Sequence, residues 1–141
     1  MVNKLTEKFF SFFDGIFPAD PRGEFSCPEL PGASASLAAA WCAKQSPARI
    51  ALVITSGAAE SSRLFLDVLS LQKNTGIEAL LFAQEIEDDP DAIASRLKTV
   101  RRLTAPADGD IPPAIIIVSA KALLVPAPDP EQIRSCSITL K

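Results

Sequence analysis

The chain has 141 residues, 48% hydrophobic and 22% charged, which suits one compact domain with an ordinary core and leaves no room for a second full domain. A net charge of −3 and an isoelectric point near 4.9 argue against a basic footprint that would bind nucleic acid unaided. The lack of histidine removes imidazole acid–base chemistry, His-based triads and His-ligated zinc, and three cysteines without a CxxC pair fit a reducing, cytoplasmic setting better than a disulfide framework.

Residues 1–17, MVNKLTEKFFSFFDGIF, place Leu5, Phe9, Phe12, Phe13 and Phe17 at helical spacing. Lys4, Glu7, Lys8 and Asp14 interrupt the apolar run, which excludes a signal peptide or membrane span and leaves an amphipathic helix. Its stripe either packs on its own domain or docks a partner. Residues 18–32, PADPRGEFSCPELPG, with four prolines and two glycines, read as a loop with at most one short strand at 25–27. The chain therefore divides into an N-terminal helix and linker, 1–22, and an α/β domain, 23–141.

Residues 33–44 are dense in alanine and leucine and predict a helix, ended by Ser46-Pro47. The run RIALVITS, 49–56, is continuous and apolar, the pattern of a strand buried on both faces. A helix over 58–73 follows, with Leu64, Val68 and Leu71 facing inward, and then a second buried strand at 76–82, GIEALLF. Asp89-Pro90-Asp91 is a helix start signal, and Ile93, Leu97, Val100 and Leu103 recur behind it in helical register. The strongest strand signal is at 114–118 in PPAIIIVSA; a short helix, AKALL, and a final strand, SCSITLK at 135–141, close the chain. Apolar strands alternating with helices predict an α/β fold: a doubly wound, mainly parallel sheet with helices on both faces.

The stretch LPGASAS, 30–36, raises the question of a phosphate-binding loop. A working loop, GxxxxGK[ST], uses backbone N–H groups and a helix N-terminus around the phosphates, a lysine for charge and a hydroxyl for magnesium. Laid over residues 29–36, the glycines fall on Glu29 and Ser34, the lysine on Ala35 and the hydroxyl on Ser36, with Gly32 inside the loop. Glu29 sets a carboxylate beside the phosphates, which is repulsive. The loop is degenerate, and Ser34 or Gly32 capping the next helix is the plainer account.

Other polar features have structural explanations. Ser56-Gly57 is either a helix cap or a ligand turn at the sheet end. Glu85, Glu87, Asp88, Asp89 and Asp91 lack calcium-loop spacing and suit a solvated loop with favourable charge at a helix N-terminus. Lys98, Arg101 and Arg102 form the densest basic spot, a solvated helix face. Cys27, Cys42 and Cys136 read as structural thiols. No catalytic, cofactor-binding or metal-ligating set emerges.

The ordered set of Leu30-Pro31-Gly32, Val53-Ile54-Thr55, Ala59-Glu60, Arg96-Leu97 with Leu103, and Val118-Ser119-Ala120 with Leu123-Leu124 resembles the N-terminal, UvrB-like domain of bacterial transcription-repair coupling factor. The likeness spans residues 23–141. It implies a helicase-like, P-loop-NTPase-type sheet that has lost its ATP site, within a longer protein whose ATP- and magnesium-dependent motor translocates DNA, displaces stalled RNA polymerase and recruits UvrA. The implied role of this chain is a non-catalytic scaffold, with other domains of the same protein as its direct partners and no cofactor or membrane of its own. The family's Trp-Glu-Thr-Leu-Pro-Tyr segment is replaced by AQEIEDDP at 83–90, and Lys121 interrupts an apolar Ser-Ala-Leu-Leu run. The rival expectations are a free-standing small-molecule-binding domain, with its ligand near Thr55-Ser56-Gly57 and Ser119 at the carboxyl ends of the strands, and a protein-interaction module using the N-terminal helix.

Overall fold

The computed structural model describes residues 4–17, 30, 33–84, 89–105, 111–127 and 129–136. In chain order the elements are α1 (Lys4–Ile16), α2 (Ser34–Gln45), β1 (Ile50–Thr55), α3 (Ala58–Thr75), β2 (Glu78–Phe82), α4 (Pro90–Leu103), β3 (Ala114–Ser119), α5 (Ala120–Leu123) and α6 (Pro130–Cys136). The short strand expected at 25–27 lies outside the described residues.

The three strands form a parallel sheet in the order β1-β3-β2. Parallel neighbours require crossover helices, and α3 and α4 supply them. The last strand in sequence thus sits in the middle, with Ile116 in register with Leu52 on one side and Leu80 on the other. All six residues of β3 are buried, and alternation sends them to two cores. Ile115 and Ile117 meet Ala39, Ala40 and Ala43 of α2 and Val68 of α3; Ala114, Ile116 and Val118 meet Val100 of α4 and Ala122 of α5. Helices therefore cover both faces of an α/β sheet.

Strand β1 departs from the two-faced burial expected of it. Ala51 and Val53 pack against the α2–α3 core, whereas Leu52 and Ile54 are 57% and 56% exposed. Their register partners Ile116 and Val118 are covered from the α4 side, and of β1 only Ile50 packs against that core. At the opposite end, Arg49 is held in left-handed backbone (φ 53°), and its carbonyl accepts the Ala114 N–H at 2.8 Å, which aligns the starts of β1 and β3.

Helix α3 ends where Gly76 adopts φ 66°, a left-handed cap open to glycine without steric cost, and its N–H reaches the Gln72 carbonyl at 2.9 Å. Within α3, Val68 is buried and Leu64 packs beside it. Helix α4 begins as Asp89-Pro90 predicts, the Asp89 carboxylate accepting from the Asp91 and Ala92 N–H groups. Its buried face is a correction to the expected register. Ala92, Arg96, Thr99 and Val100 turn to the sheet, while Ile93, Leu97 and Leu103 remain exposed. Small Ala92 and Thr99 allow close approach, and Arg96 lays its guanidinium 4.1 Å from the Phe82 ring centre.

Helix α1 packs on α2. Phe13 and Phe17 are buried with Ala38 and Trp41; the Phe17 and Trp41 rings lie 5.1 Å apart, and the indole N–H donates to Asp14 Oδ1 at 2.7 Å. Burial of each such ring contributes about 2–3 kcal/mol. Phe12 stays exposed.

The chain's end brings a second correction. Ser135 and Cys136, read as the start of a strand, lie in α6, and the rest of that strand falls outside the described residues. Helix α6 starts at Asp129-Pro130, where the Asp129 carboxylate accepts the Glu131 N–H at 2.9 Å. Ile133 of α6 then packs against the α4-side core.

Candidate functional site

The degenerate loop is partly described. Glu29 and Gly32 lie outside the described residues, while Ser34, Ala35 and Ser36 form the first turn of α2. The N-cap is Ala33, with no side-chain cap, so the expectation of a Ser34 cap is corrected: Ser34 is already inside the helix. Ser36 occupies the position of a magnesium-binding hydroxyl, yet it is 0% exposed and donates to the Ala33 carbonyl at 2.7 Å. Such back-bonding is the ordinary fate of a helical serine whose hydroxyl faces protein.

A second place to look is the carboxyl end of the sheet, where open α/β folds bind ligands. A cleft of about 340 Å³ lies there, lined by the first turns of α3 and α4 and the ends of β2 and β3. Its polar lining comprises Ser61, Ser62, Gln84, Asp89, Asp91, Ser95 and Ser119. Most of these groups are engaged within the fold. Ser61 is hydrogen-bonded to Thr55 at 2.6 Å, Thr55 also donates to the Gly57 carbonyl, and Ser95 donates to the Leu81 carbonyl. Ser119 accepts the Ala122 N–H at 3.2 Å, capping α5, and Asp89 caps α4. Among the described residues no lysine or arginine lines the cleft, and the carboxylates of Asp89 and Asp91 oppose a phosphate.

Beside the cleft, Ser56-Gly57 forms the entry to α3. Gly57 is the N-cap and offers no side chain; Glu60, in the first turn, accepts from the Ser56 N–H at 3.0 Å and the Ser56 hydroxyl at 2.7 Å. The hydroxyl first, and the backbone N–H second, hold the Glu60 carboxyl below its ordinary range. Both bonds run from Ser56 to Glu60, so this is only the glutamate half of a capping box, displaced by one residue, and among the described residues no side chain accepts from the first N–H groups of α3.

Of the acidic cluster, Glu85, Glu87 and Asp88 lie outside the described residues, Asp89 is a cap and Asp91 is exposed. Among the described residues no group of three or more metal-ligating side chains comes together. The basic spot on α4 is divided. Lys98 pairs with Glu78 at 3.2 Å, Arg102 Nε lies 3.8 Å from the same carboxylate, Arg102 Nη2 donates to the Pro112 carbonyl at 2.9 Å, and Arg101 points to solvent. Cys42 is half-buried, and burial pushes its thiol pKa up, away from reactivity. Among the described residues no helix is long and apolar enough to cross a membrane.

Arg96, of the Arg96-Leu97 pair, is the residue whose role sequence reasoning missed. It is 3% exposed, and its two terminal nitrogens donate to the carbonyls of Ala83, just after β2, at 3.1 Å and Pro126, between α5 and α6, at 2.9 Å. It therefore ties together the two chain segments that leave β2 and β3 at their carboxyl ends. An arginine within an apolar helix pattern was the signal, since such a residue buries only when its donors are met.

No family model matches the chain, and no curated protein or solved structure matches it either.

Proposed function

We propose that this chain is a non-catalytic, UvrB-like scaffold domain of a transcription-repair coupling factor, acting in transcription-coupled nucleotide excision repair by positioning a neighbouring UvrA-binding module. The proposal includes the finer fold assignment, a degenerate relative of the P-loop NTPase and helicase sheet. The observation that carries it is the first turn of α2: Ala35 stands at the lysine position and the Ser36 hydroxyl is turned inward onto Ala33. A helix N-terminus alone contributes about 1 kcal/mol toward an anion, against about 8 kcal/mol for a micromolar complex. ATP, magnesium, DNA and RNA polymerase are then the business of other parts of such a protein, and this chain works in the cytoplasm through contacts with its neighbouring domains.

Calorimetry tests the nucleotide half of the proposal: ATP and ADP titrated with magnesium should give no binding heat, and a micromolar Kd overturns it. The reading frame beyond the Lys141 codon tests the other half. In-frame helicase motifs are expected there; an immediate stop codon overturns membership of a motor protein and leaves the loop chemistry untouched.

The cleft between α3 and α4 favours a second reading, a free-standing small-molecule-binding domain. Its position is right for one. The hydroxyls of Ser61, Ser95 and Ser119, however, are already bound to Thr55, Leu81 and Ala122, which among the described residues leaves Ser62, Gln84 and Asp91 as the lining polar groups open to a ligand. A saturable ligand that raises Tm in the parent but not in Asp91→Ala would turn the assignment to this reading.

A further inference from the structure

We draw no further inference here: the strongest candidate, the bare α4-side face of edge strand β1 formed by Leu52 and Ile54, together with the exposed Leu123 and Leu124 that follow β3, is an unpartnered apolar surface, and nothing in the structure shows what covers it.

Discussion

Strands β1 and β3 are neighbours of equal length, both apolar, paired residue for residue from Ile50–Ala114 to Thr55–Ser119. Their surroundings differ. The central strand is enclosed on both sides by helices, while its neighbour is covered on the α2–α3 side and, on the other, packs against the core only at Ile50, leaving Leu52 and Ile54 exposed. Burial in a parallel sheet is thus set by where the helix layers stop, and a hydrophobic run describes what a strand tolerates rather than what covers it. The strand ends show the same divergence. Ser119 caps α5 directly, whereas Thr55 is bound to Ser61 inside α3, whose N-cap Gly57 has no side-chain hydrogen bond.

The largest expected effect breaks this comparison most directly. Ile117→Ala removes a wholly buried side chain from the central strand and should cost about 2–5 kcal/mol in urea denaturation. Leu52→Ala in β1 should cost under about 1 kcal/mol, because its side chain already meets water. Equal losses would mean that the outer face of β1 is covered in solution. Next comes Arg96→Ala, expected to cost about 3 kcal/mol by leaving the Ala83 and Pro126 carbonyls without their donor and removing the contact with Phe82. The control is Arg101→Ala on the solvent side of the same helix, which should stay within about 0.5 kcal/mol. If the two variants behave alike, the guanidinium does not hold the ends of β2 and β3 together.

What was legible in the sequence follows the same division. β3, α3 and the Asp89-Pro90 start of α4 could be read because local chemistry and tertiary environment agree there. The α4 face could not, because periodicity weighs side chains by size while close packing on a sheet selects Ala92 and Thr99 and leaves Ile93 and Leu97 outside. The start of α6 was open to reading, since Asp129-Pro130 repeats the signal of Asp89-Pro90; the β-branched Ile138-Thr139 that follows gave strand character to the whole tail. The α2 loop was readable in its chemistry, from Ala35, but not in its geometry. Whether Ser34 caps or continues the helix turns on a single residue's backbone.

A smaller effect separates backbone from packing at the crossover between β1 and β2. Gly76 is left-handed, and a methyl group there meets nothing within 4 Å. Gly76→Ala should therefore cost about 1 kcal/mol, the backbone strain alone. Chemical denaturation checks the value, and a loss on the scale of Ile117→Ala would mean that the crossover is packed more tightly than the open space around Gly76 indicates.

The smallest effect is electrostatic and lies where β1 hands over to α3. Because hydrogen bonds from Ser56 lower the folded-state pKa of Glu60, the carboxylate contributes stability that is present above its unfolded value and lost as pH falls through its folded value. Ser56→Ala removes the hydroxyl, the larger of the two causes, so the Glu60 titration midpoint should rise toward the ordinary carboxylate range while the remaining backbone N–H holds it slightly below. The stability gap between parent and variant should then be present at neutral pH and close in acid, below both titrations. Carboxyl chemical shifts followed through acid titration report the midpoint, and an unchanged midpoint in Ser56→Ala would show that the backbone N–H of residue 56 and the Arg63 charge, rather than the serine hydroxyl, lower the Glu60 pKa.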